Sequence, residues 1–268
     1  MDLLLLLKAF IQGLVEGATE FLPISSTGHL IIVGDLINFK DDKAKVFDIV
    51  IQLAAILAVC WEYRRKLIDT ALHITTQNKA QNFALNLFIA FLPAALLGLA
   101  FHSQIKEYLF SPLTVAVALI VGGIAILAIE QLPLKATTVS IDKMTRKQAL
   151  QIGLAQSAAL IPGVSRAGAT ILGGMMFGLN RHTATEFSFF LAIPIMFAAT
   201  AYDLLKSWQL LSIDDLAMFI VGFITAFISA LVAIKFLLRF VASHNFKVFG
   251  WYRIALGIAV ITYFGQTS

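Results

Sequence analysis

The sequence predicts an all-α integral membrane protein with six transmembrane helices plus two re-entrant helix-loop-helix pairs in inverted-topology repeats. Three observations favour this fold: the composition, a set of long apolar stretches, and two interrupted apolar regions that match each other. Of the 268 residues, 59% are hydrophobic and 13% are charged, whereas a soluble domain carries about 25% charged residues. This composition excludes a disordered chain and a nucleic-acid binder, and the single Cys60 excludes a disulfide scaffold.

Six stretches approach the length of about 20 apolar residues that a spanning helix needs. They are Val46–Trp61, Phe83–Phe101, Leu113–Gln131, Phe187–Tyr202, Leu216–Leu238 and Val248–Phe264. No linker or low-complexity segment divides the chain. We therefore expect residues 1–268 to form a single polytopic membrane domain.

Two further apolar regions, Leu3–Leu36 and Ala149–Leu179, are each interrupted by Pro, Gly and hydroxyl residues. The interruptions read PISSTGH at 23–29 and PGVSRAG at 162–168. The regions match at one constant separation, which pairs Gly13 with Gly153, Ala18 with Ala158, Ser25 with Ser165 and Phe47 with Phe187. Chance similarity between two Ala/Gly/Leu-rich strings is the alternative. The long shared register favours a duplication, with repeat one at about 3–131 and repeat two at about 149–264.

The spans between the two copies set their relative orientation. If each interrupted region enters the membrane and returns on the same side, three full spans separate them, and the second copy is inverted. In inverted repeats the interrupted helices meet near the midplane and build a site there. Because non-helical backbone is tolerated at that depth only where it is buried or lines a wet cavity, we expect both interruptions to share one pocket.

Basic residues predict the orientation of the chain in the membrane. The loops 62–82 and 132–148 each hold four Lys or Arg residues, whereas the loops 102–112 and 203–215 hold one Lys each. Cytoplasmic loops carry the excess of Lys and Arg. The first pair of loops is therefore predicted to be cytoplasmic, and the mouth of the first interrupted region faces the outer side.

Glu16 and Glu20 stand four residues apart on an apolar helix, so that both side chains project from one face. Acidic residues are costly at membrane depth, and the alternative is that one is protonated or that both lie at the interface. The functional interpretation is a carboxylate pair that binds a divalent cation, activates water or meets a cationic side chain. Mg²⁺ and Ca²⁺ prefer such oxygen ligands.

A run of hydroxyl residues and a histidine follows the proline of the first interruption: Ser25, Ser26, Thr27 and His29. Ser and Thr are ordinary N-caps of a following helix, and this role is expected for at least one of them. A cap does not require His29, however, and hydroxyl plus imidazole is the nucleophile–base pair of covalent catalysis. The N-terminus of the next helix is also a ready anion site.

Arg166 lies at the second interruption, directly after Ser165 and inside an apolar segment. A buried arginine needs a partner, and its planar fork suits carboxylate and phosphate groups. The alternative is an arginine that only pairs with Glu16 or Glu20, which would still bring the interruptions together. Carboxylates, hydroxyls, His and Arg at membrane depth indicate a phosphorylated, lipid-soluble substrate.

Two polar residues within predicted spans are weaker candidates for substrate binding. Gln52 could line the pocket, although an interhelical amide hydrogen bond is the simpler interpretation. Arg253 could reach a phosphate, but its side chain could equally well snorkel to the interface.

Two motifs carry a family resemblance. EGATEFLPISSTGH at 16–29 and PGVSRAGAT at 162–170 resemble the two signature motifs of the bacterial undecaprenyl-diphosphate phosphatase (bacitracin-resistance) family. The resemblance extends over the whole chain in length, span order and both motifs. It implies six spans plus two re-entrant helix pairs, with a pocket open to the outer face of the inner membrane. It also implies hydrolysis of undecaprenyl diphosphate to undecaprenyl phosphate and phosphate, which recycles the lipid carrier for peptidoglycan synthesis.

By the same resemblance, each motif residue has an expected role. Glu16 and Glu20 match the acidic pair tied to metal use, and the metal is expected to be Mg²⁺ or Ca²⁺. Ser26 matches the nucleophile or phosphate ligand, with hydroxyl contacts from Ser25 and Thr27, and His29 matches the general acid/base. Ser165 and Arg166 match the diphosphate-binding pair. The family often has Ser after this Arg, whereas this chain has Ala167, which puts in doubt any essential hydroxyl there.

Other functions fit parts of the pattern. A secondary transporter for an anionic lipid shares inverted repeats and broken helices, but it needs no nucleophile. The acid-phosphatase-like lipid phosphatases need a His about six residues after their Ser-Arg, where this chain has Leu172. A structural scaffold leaves the buried ionisable residues unexplained. The mode of attack, the metal, the prenyl chain length, any lipid flipping and the oligomeric state stay open, with a homodimer as one candidate.

Overall fold

The computed structural model describes residues 3–40, 42–101, 104–105, 109, 111–207, 209 and 212–265. Over these residues the chain is helical and forms no β-strand, apart from an isolated bridge between Thr138 and Leu179. The prediction of an all-α fold is confirmed. Most of the predicted outer loop 102–112, and part of the loop 203–215, lie outside the described residues.

The helices follow the predicted apolar stretches. They are α1 (Leu3–Thr19), α2 (Ser26–Leu36), α3 (Asp42–Glu62), α4 (Arg64–His73), α5 (Asn78–Ala100), α6 (Pro112–Ile129), α7 (Arg146–Gln156), α8 (Arg166–Met176), α9 (Arg181–Ser207), α10 (Leu216–Val241) and α11 (Lys247–Gly265). Short 3-10 turns lie at Ile141–Lys143, Ser157–Leu160 and Ile213–Asp215. The helix α7 starts before the predicted apolar region at Ala149, because Thr145 caps it through a capping box with Gln148.

Five of the described helices are long and apolar enough to cross a membrane: α5, α6, α9, α10 and α11. The helices α3 and α4, which are bent by 73° at their junction, add a sixth span if the pair crosses the membrane as one broken helix. The prediction of a multi-pass, all-helical membrane protein is therefore confirmed, with five or six candidate spans. The bend explains why the predicted span stops at Trp61, because α4 carries the basic residues of the following loop.

Both predicted interruptions are breaks between helices, and each ends in a serine of the same backbone conformation. Break one comprises residues 20–25 between α1 and α2, and break two comprises residues 157–165 between α7 and α8. The helices that follow, α2 and α8, each have 11 residues, and each begins after a serine with positive φ: 69° at Ser25 and 73° at Ser165. Residues other than glycine rarely adopt positive φ. The shared strain supports the predicted duplication, which stays a prediction.

The first helix of each broken pair packs closely on a spanning helix through a glycine. A Cβ added at Gly13 would lie 2.5 Å from the Gly222 carbonyl oxygen on α10. A Cβ added at Gly153 would lie 2.5 Å from the Ala90 carbonyl oxygen on α5. Small residues allow such close helix contacts within membranes. These two contacts fix α1 and α7, and with them the positions of both breaks.

The largest cluster of buried apolar residues lies beside the breaks. Phe21 of break one contacts Phe189 of α9 edge to face, with ring centroids 5.6 Å apart. Both rings are fully buried, together with Phe187 and Phe190 of the same helix. Aromatic rings bury large apolar areas and dominate core packing. The cluster therefore holds α9 against break one.

The loop before α7 is tied to the spanning helices by Asp142. Lys66 of α4 and Lys79 of α5 each donate a hydrogen bond of 2.8 Å to its carboxylate. Burial raises the pKa of the Asp142 carboxyl, but the hydrogen bonds and charges of the two lysines outweigh burial and bring the pKa below its ordinary value. This contact anchors the start of the second broken pair.

We expect Gly13→Ala and Gly153→Ala each to lower the free energy of unfolding by about 1–3 kcal/mol, because the new methyl group pushes two backbones apart. Thermal unfolding in detergent measures the change. Gly265→Ala is the matched control, since a Cβ there meets nothing within 4 Å. Equal stability of all three variants would contradict the packing of α1 and α7.

Candidate active site

A cavity of about 230 Å³ lies between break one, break two, α3 and α9. The polar residues that line it are Glu20, Ser25, Ser26, Thr27, Gln52, Ser165 and Arg166. The remaining lining residues come from break two and α9: Ala159, Ile161, Pro162, Gly163, Ile195, Met196 and Ala199. The cavity thus gathers most of the predicted site residues, but Glu16, His29 and Arg253 are not among those that line it.

Glu20 connects the two breaks. Its Oε2 accepts a hydrogen bond from the hydroxyl of Ser26, the first residue of α2. Its Oε1 accepts from Nη2 of Arg166 at 3.0 Å, with only 8% of the Glu20 side chain and 12% of the Arg166 side chain exposed. Charge-assisted bonds in such a buried setting are strong. One carboxylate therefore orients both a hydroxyl and a guanidinium at the cavity.

Arg166 keeps a donor for a further acceptor. Besides Glu20, its guanidinium donates to the Ser188 carbonyl oxygen at 3.2 Å and contacts the Met196 sulfur at 3.4 Å. Its Nε is buried and has no hydrogen-bond partner among the described residues. An unsatisfied buried donor is costly. Because Arg166 also lines the cavity, an anionic ligand there could satisfy it.

The two strained serines have different partners. The Ser165 hydroxyl accepts from the Gly168 N–H at 3.0 Å and so caps α8, while it also donates to the Leu22 carbonyl oxygen of break one at 3.5 Å. Ser25 occupies the N-cap position of α2 but makes no side-chain cap bond. Free N–H groups at the start of a helix favour anions. The first residues of α2 and α8 line the cavity, and α2 starts without a side-chain cap, whereas Ser165 caps α8.

His29 contacts the last helix rather than the Ser26 hydroxyl. Its Nδ1 donates to the Ser25 carbonyl oxygen at 2.7 Å, and its Nε2 lies 2.7 Å from the Tyr252 hydroxyl of α11. A carbonyl only accepts, so Nδ1 carries a proton, and in the neutral ring Nε2 then accepts from the Tyr252 hydroxyl. The predicted hydroxyl–imidazole pair is not formed, because Ser26 donates to Glu20 instead.

Glu16 is buried, with 1% of the residue exposed, and its Oε1 has no hydrogen-bond partner among the described residues. Asp48 of α3 likewise has a buried Oδ1 without a partner there. In the described part of the chain, no three His, Cys, Asp or Glu side chains lie close enough to hold a metal ion together. The predicted pair of Glu16 and Glu20 could therefore fit a cation only if substrate oxygens completed its shell, as is common for Mg²⁺. Glu16 offers a free anionic oxygen for that arrangement, although its side chain does not line the cavity.

Arg253 is the most constrained polar side chain of the fold. It is 1% exposed, and all five of its N–H groups donate to backbone carbonyl oxygens. The acceptors are Pro23 of break one (3.2 Å), Gly163 and Val164 of break two (both 2.9 Å), and Ala118 and Leu119 of α6 (3.1 and 3.3 Å). The side chain does not snorkel, and it has no donor left for a phosphate. The structure thus places Arg253 behind the site, where it joins both breaks to α6.

Glycine on α6 makes room for this guanidinium. A Cβ added at Gly122 would overlap the Arg253 side chain, and one added at Gly123 would lie 2.6 Å from the Gly250 carbonyl oxygen of α11. The close contact of α6 with α11 therefore depends on both glycines. It holds Arg253 at the level of the breaks.

Several residues around the site are not predicted from the sequence. Tyr252, the partner of His29, lies 223 residues away in the chain, and no spacing could connect the two. Asp48 gave a usable signal, because an acidic residue within a span is a functional candidate by default. The apolar lining residues of α9, such as Met196 and Ala199, gave none, because they resemble any other residue of a span.

We expect Arg253→Lys to lower the free energy of unfolding by at least about 2 kcal/mol, because lysine has three donors for five buried acceptors and each unsatisfied acceptor costs about 1–3 kcal/mol. Thermal unfolding in detergent measures this, with Arg239→Lys at the exposed end of α10 as control. A fully stable Arg253→Lys protein that has lost diphosphate binding would instead make Arg253 a substrate ligand.

Comparison with known proteins identifies the relatives of this chain. The family model described as bacitracin resistance protein BacA matches residues 9–259. A protein of Methylobacillus flagellatus named undecaprenyl-diphosphatase is 65% identical over 98% of this chain and 100% of its own length. Proteins of the same name from Laribacter hongkongensis and Nitrosospira multiformis are each 60% identical over 97% of this chain and 96% of their own lengths. The two-break fold and the matched sequence agree, and the chain belongs to the BacA bacitracin resistance protein family.

Proposed function

We propose that this chain is an undecaprenyl-diphosphatase. It hydrolyses undecaprenyl diphosphate to undecaprenyl phosphate and phosphate, recycles the lipid carrier for peptidoglycan synthesis, and thereby confers resistance to bacitracin. The names of its relatives support this activity. The observation that carries it is the buried triad of Ser26, Glu20 and Arg166, which lies in one cavity at the junction of two broken helices.

Arg166 and the helix starts bind the diphosphate. The unpartnered Nε of Arg166 donates to a phosphate oxygen, and the N–H groups at the start of α8 add a positive electrostatic field. The hydroxyls of Ser25, Thr27 and Ser165, together with the Gln52 amide, line the same cavity and contact the remaining oxygens. This binding leaves the Glu20–Arg166 bond in place, so the carboxylate stays oriented.

Glu20 is the group that takes the proton of the attacking oxygen, because it already accepts the hydrogen bond of the Ser26 hydroxyl. In one route Ser26 attacks the terminal phosphorus, the bond to the bridging oxygen breaks, undecaprenyl phosphate leaves, and a phosphoserine forms. Water then hydrolyses the phosphoserine. In the other route Glu20 activates water directly, and Ser26 binds a phosphate oxygen. His29, expected as general acid/base, does not line the cavity. In this proposal its bonds to the Ser25 carbonyl oxygen and the Tyr252 hydroxyl position the start of α2 beside the cavity.

A divalent cation, Mg²⁺ or Ca²⁺, belongs to this proposal. Glu16 and Glu20 would hold it together with diphosphate oxygens, and the unpartnered Oε1 of Glu16 supports this assignment. Such a cation would offset the charge that two carboxylates and a diphosphate accumulate, and it would polarise the P–O bond.

The proposal includes a location and an orientation. The protein lies in the bacterial inner membrane with the cavity mouth toward the outer face, as the basic loops indicate. Ile195, Met196 and Ala199 of the carboxyl-terminal half of α9 line the cavity. This half of α9 precedes the loop 203–215, which the basic residues place on the outer side. A homodimer is compatible with this arrangement.

We expect purified protein in detergent to release phosphate from undecaprenyl diphosphate, and we expect Ser26→Ala, Arg166→Lys and His29→Ala each to lower kcat by about 10²-fold or more. Lysine fails at 166 because a point charge does not replace the planar fork. A phosphate-release assay measures the rates, with Arg239→Lys as the surface control. No release by the parent protein would favour the transporter, and near-normal turnover of His29→Ala would remove histidine from the mechanism.

Chelator should silence the enzyme, and added Mg²⁺ or Ca²⁺ should restore it. Glu16→Gln and Glu20→Gln should lower both turnover and apparent metal affinity, because each amide replaces an anionic oxygen ligand. Titration of activity with metal separates the two effects. Full activity after chelation would leave the carboxylates as bases or as partners of Arg166, without a metal.

A further inference from the structure

The cavity holds its carboxylate and serine hydroxyls in its buried part, and its exposed lining residues are apolar. Glu20, Ser25, Ser26 and Ser165 are each at most 9% exposed. Among all residues that line the cavity, only Ile161 of break two and Ala199 of α9 are exposed. Ile161 is 40% exposed. The opening is therefore an apolar gap between break two and α9.

The volume of the cavity limits what it encloses. At about 230 Å³ it is smaller than the sites of about 300–1,000 Å³ that enclose drug-sized ligands. It has room for a diphosphate and the first part of a prenyl chain. The rest of a long polyprenyl chain must therefore leave the cavity and enter the bilayer.

We propose, on the basis of the proposed function, that the polyprenyl chain leaves the cavity between Ile161 and Ala199. Its first isoprene units contact Ile161, Ile195 and Met196. The remainder passes over the side chain of Ala199 into the lipid. The gap is thus a binding site for the apolar chain of the substrate, next to the polar site for its diphosphate.

The surface beyond the gap fits an apolar chain. Break two lies against the end of α5, where a Cβ added at Gly98 would be 3.3 Å from Cδ2 of Leu160. Leu97, next to this contact, is 38% exposed, and Leu99 is 67% exposed. Exposed apolar side chains on a spanning helix face lipid tails, so a chain that leaves past Ile161 stays among apolar groups.

The opposite side of the cavity is closed. Break one is packed against Phe189 through the fully buried Phe21. Behind both breaks the carbonyl groups are bonded to Arg253. A prenyl chain that left on that side would have to separate these contacts and place apolar carbon against a guanidinium. The gap at Ala199 requires no such change.

The small side chain at position 199 keeps the gap open, and this gives the test. Ala199→Phe should lower kcat/KM for undecaprenyl diphosphate by about tenfold or more relative to kcat/KM for isopentenyl diphosphate, because only the long chain must pass the new ring. Ala198→Phe is the matched control. It adds the same ring at the neighbouring exposed position, which does not line the cavity, and should leave the ratio of the two kcat/KM values as it is.

A second variant tests the gap without the risk that the phenylalanine ring at position 199 impairs folding. Ala199→Cys in a Cys60→Ser background is treated with thiol reagents of increasing size, with Ala198→Cys as control. Undecaprenyl diphosphate turnover should fall with reagent size at 199 and not at 198.

The proposal is overturned if the parent hydrolyses both substrates and the Ala199 variants lose activity on both equally. It is also overturned if these variants lose activity on neither substrate. If the parent releases phosphate from neither substrate, the proposed function itself fails, and the proposal falls with it.

Discussion

Five hydrogen bonds from one buried guanidinium hold the two helix breaks together. A broken helix in a membrane exposes carbonyl groups that lipid cannot satisfy, and two breaks at one level double that cost. Arg253 offsets this cost by donating hydrogen bonds to the carbonyl oxygens of Pro23 in break one and of Gly163 and Val164 in break two. It also donates to two carbonyl oxygens of α6. The geometry of the cavity depends on this arrangement, because the strained serines that precede α2 and α8 lie within two residues of the bonded carbonyl groups of Pro23 and Val164.

The two buried arginines of the site differ in what they leave free. Arg253 uses every donor on backbone oxygens of its own chain. Arg166 bonds Glu20 and the Ser188 carbonyl oxygen, and its Nε is without a partner in the described residues. A saturated guanidinium stabilises structure, and an unsaturated one beside a cavity binds a ligand. Arg253 therefore stabilises the two breaks from behind the cavity, and Arg166 is available to bind a ligand inside it. Glu20 connects Arg166 to Ser26.

Much of this arrangement could be predicted from the sequence, because its signals are local. Apolar length gave the spans, and Pro, Gly and Ser clusters gave the breaks. The matched registers around Ser25 and Ser165 predicted that two such breaks would share a pocket, and Glu20 and Arg166 do meet there. The spacing of Glu16 and Glu20 placed them on one face of a helix, yet α1 ends at Thr19, and only Glu20 lines the cavity.

Other features depend on tertiary contacts that leave no local trace. An arginine within the last span fits a snorkelling side chain and a phosphate ligand equally well from sequence. In the structure Arg253 does neither, and instead bonds five backbone carbonyl oxygens from three distant segments. That arrangement can be predicted only when the positions of those segments in the fold are known. His29 likewise meets Tyr252 only because α11 packs beside α2. The apolar rim at Ile161 and Ala199 is invisible in sequence, because an opening toward lipid has the composition of any membrane-facing surface.

The most direct test of the central claim is an experimental structure of the protein with a non-hydrolysable polyprenyl bisphosphonate. The account predicts both phosphorus atoms between the two breaks, Arg166 bonded to the ligand, and Arg253 still bonded to its five carbonyl oxygens. Phosphates bound directly by Arg253, or bound away from Arg166, would contradict it.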